Sequence, residues 1–151
     1  MKKRLLVVDD DASVRESLKR VLEHAGYEVE LAADAAEAEG KFDDHSFDLL
    51  ILDLNLPDRD GWDVLERVSS SYPLLPVILI TGLIDQLETL IIPGASALLE
   101  KPVEAPVILR TIEELLVAGS KGDINRTTSV SFSSGRAVIK RRRGIMAPDA
   151  K

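Results

Sequence analysis

The chain of 151 residues contains no cysteine and only two histidines, His24 and His45, which stand far apart in the sequence. Without thiols, disulfide frameworks and thiolate chemistry are both excluded. A metal bound by this protein would therefore be a hard cation held by oxygen ligands. Aromatic residues are also scarce, at 4%, whereas apolar residues at 45% and charged residues at 30% are typical of a globular protein.

Long hydrophobic runs are absent as well. The first apolar run, Leu5 to Val8, stops after four residues, which is shorter than the apolar core of about 7 to 15 residues in a signal peptide. No run approaches the roughly 18 apolar residues of a membrane span. We therefore expect a cytoplasmic protein with no membrane contact.

Charge is distributed unevenly along the chain. Residues 1–120 carry 11 basic and 24 acidic residues, a net charge of −13, whereas residues 121–151 carry 8 and 2, a net charge of +6. This difference predicts one domain over residues 1–120 and a basic C-terminal tail over residues 121–151. The tail shows no helical periodicity, and an isolated hairpin is only marginally stable in water. We expect the tail to be disordered or to form a short hairpin.

Within residues 1–120, short apolar runs alternate with segments of helical periodicity. The predicted strands are RLLVV, YEVELA, FDLLILD, PVILI and SALLE, and helices are predicted over 12–25, 35–42, 62–70, 85–92 and 104–118. FDLLILD is almost continuously apolar, as a strand covered on both faces would be, so it should be central. Five strand and helix pairs predict a doubly wound (βα)5 fold, with a five-stranded parallel sheet of the flavodoxin-like type.

Polar residues follow four of the predicted strands. Asp9 and Asp10 come after the first strand, Asp53 after the third, Thr81 after the fourth and Lys101 after the fifth. In open parallel sheets, ligands bind beyond the carboxyl ends of the strands. Any one of these residues alone could be a helix cap or a solvated charge, but together they predict a functional site at this edge of the sheet.

Three consecutive acids, Asp9 to Asp11, follow the first apolar run directly. Two carboxylates about 4 Å apart repel by about 4 kcal/mol at an effective dielectric of about 20, so something must offset their charge. Mg²⁺ binds carboxylates, waters and phosphate oxygens in octahedral geometry, and its positive charge would offset the charge of these acids. Asp11, beside a helix start, is more typical of an N-cap than of a metal ligand.

The motifs VVDDD, LILDLNLPDRDG, ITG and GASALLEKP give residues 3 to 118 a specific resemblance to the receiver domain of bacterial two-component response regulators. The resemblance implies a magnesium site formed by Asp9, Asp10, Asp53 and the backbone carbonyl of Asn55. It implies that Asp53 is the phosphoacceptor and that Thr81 and Lys101 contact the phosphoryl group. It also implies a cis peptide bond between Lys101 and Pro102.

The function implied by the resemblance is a phosphorylation-dependent switch. A sensor histidine kinase or a histidine phosphotransfer protein would donate the phosphoryl group to Asp53. The chain would not be an enzyme beyond taking part in its own phosphorylation and dephosphorylation. Because the 31 residues after Ser120 are too few for a typical DNA-binding output domain, we expect a stand-alone receiver or phosphorelay component whose downstream protein target is unknown.

Two departures from the family pattern lie between Thr81 and Lys101. Leu98 occupies a position where the family usually has tyrosine or phenylalanine, and this stretch is somewhat short, with Pro93 ending the fourth helix early. Both affect the output surface formed by the fourth helix, the fifth strand and the fifth helix. We expect phosphorylation to move the fourth helix and fifth strand less than is usual for the family.

Two alternative functions compete with this one. In the first, the chain is an interaction module whose basic tail, with KRRR at 140–143, contacts nucleic acid or an acidic protein, although the tail has no recognisable reading element. In the second, it is a phosphatase that forms an aspartyl phosphate. Such enzymes carry a DxD motif after the first strand and a paired acid later, which is the reverse of the order found here.

Overall fold

Strands and helices alternate along the chain as the apolar pattern predicts. The computed structural model describes residues 2–57, 61–82, 94–120, 128–133 and 136–141. The strands are β1 (Arg4–Val8), β2 (Glu28–Ala32), β3 (Leu49–Asp53), β4 (Val77–Thr81), β5 (Ala97–Glu100), β6 (Thr128–Ser133) and β7 (Arg136–Arg141). The helices are α1 (Ala12–His24), α2 (Ala35–Asp44), α3 (Gly61–Ser71) and α4 (Ala105–Ser120). The helix predicted over 85–92 lies outside the described residues.

The central sheet has five parallel strands in the order β2-β1-β3-β4-β5. Strand β3 is in the middle, and all five of its residues are buried, so its predicted central position is confirmed. The sheet is doubly wound, as predicted. Its register pairs Val8 with Leu52 and Thr81 with Glu100, which brings the carboxyl ends of β1, β3, β4 and β5 to one edge.

The apolar runs form the core of the molecule. The four residues Leu5 to Val8 of β1 are each 0% exposed, as are Leu49 to Leu52 of β3. Full burial of a side chain of this size stabilises the fold by about 1.5–3 kcal/mol. Runs of consecutive buried residues, rather than alternating ones, are what a sheet covered on both faces requires.

Helix α1 begins and ends where the sequence predicts. Asp11 is its N-cap, and its carboxylate accepts a hydrogen bond of 2.8 Å from the backbone N–H of Ser13. Gly26 follows the C-cap residue Ala25 with φ of +101°, a conformation that residues with a Cβ atom rarely adopt. The predicted capping role of Asp11 is confirmed, and it places the acids before it at the start of α1.

The basic tail contains a two-stranded antiparallel ribbon, β6–β7, which forms a sheet of its own. The division of the chain into a domain over 1–120 and a tail over 121–151 stays a prediction, because residues 121–127 and 142–151 lie outside the described residues. Among the helices that the structure describes, none combines the length and the apolar character needed to cross a bilayer.

Candidate functional site

Three carboxylates meet at the carboxyl edge of the sheet. Asp9 and Asp10 follow β1, Asp53 ends β3, and one oxygen from each lies within 4.8 Å of the others. Asp9 and Asp53 are buried, at 1% and 2% exposure, whereas Asp10 is exposed. The site therefore has two buried acids at its base and a third acid at its mouth.

Lys101 joins the two buried acids. Its Nζ atom donates a hydrogen bond of 3.0 Å to Oδ2 of Asp53 and lies 3.1 Å from Oδ2 of Asp9. The lysine directly follows β5, and its backbone N–H donates to the carbonyl oxygen of Thr81 at 3.0 Å. The bond between Lys101 and Pro102 is cis, as the resemblance implies. One ammonium group thus faces two carboxylates, and the charge of the site stays negative.

Burial perturbs the ionisation of Asp9. Desolvation raises the pKa of its carboxyl group, and the 2.8 Å hydrogen bond from the backbone N–H of Asp11 and the ammonium of Lys101 only partly oppose this, so that its pKa lies above the usual value. For Lys101, burial lowers the pKa, but the hydrogen bond to Asp53 and the proximity of Asp9 outweigh it and raise the pKa overall. Lys101 is therefore held charged, while Asp9 lacks full compensation.

One oxygen of this cluster is well suited to a metal ion. Oδ2 of Asp9 is buried and accepts no hydrogen bond from the described part of the chain. Its positive neighbour, Nζ of Lys101 at 3.1 Å, is shared with Asp53 at 3.0 Å. A buried carboxylate oxygen is costly unless a positive partner compensates it. Three carboxylates with one such oxygen form a donor set that fits a hard divalent cation such as Mg²⁺.

The other two predicted site residues lie at the same edge. The backbone N–H of Asn55 donates a hydrogen bond of 3.0 Å to Oδ1 of Asp53. Thr81 ends β4 and is 3% exposed. The structure thus brings Asp9, Asp10, Asp53 and Lys101 together and places Asn55 and Thr81 next to them, whereas the metal-binding and phosphoryl-binding roles of these residues stay predictions.

Arg15 is a residue near the site that the sequence reasoning missed. Its Nη1 atom donates a hydrogen bond of 2.7 Å to the backbone carbonyl of Asp9. Arg15 lies four residues after the N-cap Asp11, and its backbone N–H bonds to the Asp11 carbonyl at 3.0 Å. A basic residue one turn into a helix that starts after three acids was the available signal. Its contact fixes the loop that carries Asp9.

Gly61 ends the motif LILDLNLPDRDG, but the sequence reasoning assigned it no role of its own. A Cβ atom at this position would lie 2.5 Å from Cα of Leu54 and 2.7 Å from the carbonyl oxygen of Asp53. The N–H of Gly61 donates to the carbonyl of Leu54 at 3.0 Å. The start of α3 therefore packs directly on the backbone of Asp53, with no room for a side chain. The glycine after the DRD sequence was the only sequence signal.

Leu98, the residue in place of the usual aromatic one, lies within β5 and is 5% exposed. It is a core residue in this structure. The other departure, the early end of the fourth helix at Pro93, falls on residues 83–93, which lie outside the described residues. The expected smaller movement of this region after phosphorylation stays a prediction.

Comparison with known proteins agrees with the fold and with this arrangement of residues. The family model described as the response regulator receiver domain matches residues 5–113. The chain therefore belongs to the response regulator receiver domain family, the class of signalling domain found in two-component systems. The family and fold that the sequence motifs predict are both confirmed.

Curated relatives include two longer bacterial regulators. The chain is 36% identical over 132 residues to the response regulator MprA of Mycobacterium leprae, which covers 86% of this chain and 58% of MprA. It is 37% identical over 116 residues to the virulence transcriptional regulatory protein PhoP of Salmonella typhi, which covers 75% of this chain and 51% of PhoP. The chain thus spans little more than half the length of these relatives.

Solved structures of receiver domains superpose well on this one. A CheY-like receiver domain protein of Methanospirillum hungatei has a TM-score of 0.74 at 38% identity, covering 81% of this chain and 99% of its own. The response regulator TrrA of Thermotoga maritima, solved in complex with Mg²⁺ and BeF, has a TM-score of 0.70 at 31% identity, covering 76% and 99%.

Proposed function

We propose that this receiver domain is a switch that accepts a phosphoryl group on Asp53 in a Mg²⁺-dependent reaction. The observation that carries the proposal is the 3.0 Å hydrogen bond from Lys101 to Oδ2 of a phosphoacceptor candidate that is only 2% exposed and has Asp9 and Asp10 beside it. A buried carboxylate held between an ammonium group and a cation-binding set of acids is oriented and electrostatically prepared for attack on phosphorus.

Asp53 supplies the nucleophilic oxygen. The backbone N–H of Asn55 donates to Oδ1 and the ammonium group of Lys101 donates to Oδ2, so hydrogen bonds to both oxygens fix the orientation of the carboxylate. A carboxylate oxygen forms a bond to the phosphorus of a donor phosphohistidine while the bond from phosphorus to nitrogen breaks. The donor imidazole keeps the electron pair and is protonated by solvent. The product is an aspartyl phosphate, which adds about one negative charge to the site.

Lys101 and Thr81 respond to that added charge. Lys101 transfers its hydrogen bond from Asp53 to an oxygen of the phosphoryl group and offsets its charge. The hydroxyl group of Thr81 donates to another phosphoryl oxygen, which draws the end of β4 inward and couples the chemistry to the shape of the domain. Asp9, Asp10, Asp53 and the backbone carbonyl of Asn55 would hold Mg²⁺, which would supply positive charge near the phosphoryl oxygens.

Incubation with acetyl phosphate and intact-mass measurement tests this proposal. We expect one phosphoryl group on the unmodified protein with Mg²⁺, and none with a chelator or in Asp53→Asn. Asp63→Asn is the matched control, since Asp63 is an exposed aspartate in the first turn of α3, and it should be phosphorylated normally. Equal phosphorylation of Asp53→Asn and the unmodified protein would contradict the proposal.

The physiological donor in this proposal is a sensor histidine kinase or a histidine phosphotransfer protein in the cytoplasm. Phosphotransfer rates measured against a panel of purified kinases would identify it. We also propose that the receiver acts on its own, without an output domain. Because the match covers only 58% of MprA and 51% of PhoP, the intact mass of the protein purified from its own cells is the measurement that tests this arrangement.

A further inference from the structure

A groove lies at the amino edge of the central sheet, opposite the candidate functional site. It is formed by the end of α2, the segment that leads into β3 and the segment that leads into β4, and its volume is about 420 Å³. That volume is within the range of about 300–1,000 Å³ that small-molecule sites occupy. The phosphoryl chemistry proposed for Asp53 makes no use of this groove.

Half of the aromatic residues of the chain line the groove. The sequence has only six, and Phe42, Phe47 and Tyr72 are three of them. The ring of Phe42 stacks on that of Tyr72, with centroids 5.0 Å apart, and meets the ring of Phe47 edge to face at 5.2 Å. Tyr72 is nevertheless 43% exposed, and Leu74, also in the lining, is 59% exposed. Aromatic and apolar surface therefore remains open to solvent here, as it does at ligand-binding grooves.

An acid supplies the charge in this lining. Asp48 is the only charged residue among the described residues that line the groove. Its Oδ2 atom accepts a hydrogen bond of 2.8 Å from the backbone N–H of Arg4. The guanidinium group of Arg4 pairs instead with Glu28, at 3.3 Å, and no basic side chain in the described part of the chain forms an ion pair with Asp48. The groove therefore carries a negative charge that has no ion-pair partner there.

The end of helix α2 adds to this negative potential. The helix ends at Asp44, and the carboxyl end of a helix carries partial negative charge. Asp43 and Asp44 place two exposed carboxylates in this last turn, where basic residues would be more favourable. Lys41, the basic residue of the turn, pairs with Glu30 on β2 at 2.9 Å. A site with these surroundings attracts a cation and repels an anion.

We propose that the groove binds a small organic cation, an ammonium group carried on an aromatic or alkyl body. The apolar body packs against the aromatic rings. The ammonium group donates a charge-assisted hydrogen bond to Asp48 and lies near the ring of Tyr72, whose π face attracts cations. The volume of the groove favours a small molecule as its occupant over a folded protein, since a stable protein interface buries about 800 Å² on each partner.

This site is separate from the phosphoacceptor. Asp48 directly precedes β3 and Asp53 ends it, and five residues of a strand span about 16 Å at a rise of about 3.3 Å per residue. The proposal therefore goes beyond the proposed function and does not depend on it. Its test needs no phosphodonor.

Titration of the unphosphorylated full chain with three probes of similar shape tests the proposal. The probes are phenethylammonium, phenethyl alcohol and hydrocinnamate, which are positive, neutral and negative, and amide NMR shifts report both the place of binding and the dissociation constant. We expect phenethylammonium to shift the amides of Phe47, Asp48 and Tyr72. It should bind about tenfold more tightly than the alcohol, and hydrocinnamate should not bind.

Two variants separate the contributions of charge and ring. Asp48→Asn removes the charge but keeps an oxygen that can accept from the Arg4 N–H, and it should weaken phenethylammonium binding about fivefold and leave the alcohol unaffected. Asp63→Asn is its matched control, because Asp63 is an exposed aspartate in the first turn of α3, at the other edge of the sheet; it should change neither affinity. Tyr72→Leu keeps apolar bulk without the ring and should weaken phenethylammonium binding about threefold.

Equal affinity for phenethylammonium and phenethyl alcohol would overturn the proposal, because the groove would then recognise apolar surface alone. An equal loss of affinity in Asp48→Asn and Asp63→Asn would also overturn it, since the cation would then respond only to the net charge of the domain. A third contrary outcome is that a peptide of residues 138–144, VIKRRRG, shifts these amides while phenethylammonium does not. The occupant would then be a basic protein segment.

Discussion

Gly61 provides a sharp test of how the structure positions the phosphoacceptor. In Gly61→Ala, the new Cβ atom would lie 2.5 Å from Cα of Leu54, 2.7 Å from the carbonyl oxygen of Asp53 and 2.8 Å from that of Leu54. All three are backbone atoms, which cannot turn away as a flexible side chain can. The start of α3 and the segment after β3 must therefore move apart.

Two effects of opposite sign determine the stability of Gly61→Ala. Alanine favours a helix over glycine by up to about 1 kcal/mol, which would stabilise the variant. Overpacking that forces the backbone to shift costs about 1–3 kcal/mol, and three backbone contacts place this variant in the upper part of that range. The net expectation is a loss of about 1–2 kcal/mol in the free energy of unfolding, which leaves an ordinary domain folded.

Urea denaturation followed by the fluorescence of Trp62, the only tryptophan, measures this loss. Gly40→Ala is the matched control, because Gly40 lies within α2 and a Cβ atom there would meet nothing within 4 Å. Gly40→Ala should raise the free energy of unfolding by about 0.4–1 kcal/mol. We also expect acetyl phosphate to modify Gly61→Ala at least tenfold more slowly, since displaced reacting groups lose rate steeply, and Gly40→Ala at the normal rate.

The reasoning would be refuted if Gly61→Ala were as stable as the unmodified protein or more stable, with Gly40→Ala stabilised as expected. That result would mean that α3 moves away from the segment after β3 without cost, and that helix propensity alone decides the effect of alanine at both positions. Normal phosphorylation of a destabilised Gly61→Ala would instead show that the backbone contact does not position Asp53.

Three further changes test other parts of the structure, each by urea denaturation. Asp11→Ala removes the N-cap hydrogen bond from Ser13 and should lower the free energy of unfolding by about 1 kcal/mol. The Mg²⁺ affinity, measured by calorimetry, should not change, and a large loss of affinity would show that Asp11 is a metal ligand. Gly94→Ala should destabilise the domain because Gly94 has φ of +88° and a Cβ atom there would collide with Ser69. Adding Ser69→Ala removes the collision with the hydroxyl group but not the backbone strain, so the double variant should recover only part of the lost stability. Full recovery would show that backbone strain makes no contribution. Leu98→Ala should cost about 2–5 kcal/mol, since Leu98 is 5% exposed, and a cost below 1 kcal/mol would show that it is not a core residue.

Much of the fold follows from local patterns that the sequence shows directly. Apolar runs such as Leu49 to Leu52 indicate buried strands, and the helical segments between them require parallel crossovers. Asp11 could be predicted as a cap because capping involves a residue and its neighbours two or three positions later. The residues of the candidate site could also be predicted to meet, because parallel strands all present their carboxyl ends at one edge.

The sequence by itself thus predicted which residues form the candidate site and at which edge of the sheet they lie. Only the tertiary structure decided how they meet. Lys101 contacts Asp53 across 48 positions of sequence. The strand order β3-β4-β5 places the ends of β3 and β5 at the same edge, only two strands apart, and no local sequence pattern specifies that order. The contact of Arg15 with the Asp9 carbonyl and the packing of Gly61 on the backbone of Asp53 have the same origin: both depend on how helices lie against the ends of the strands, which is settled by the packing of the whole core.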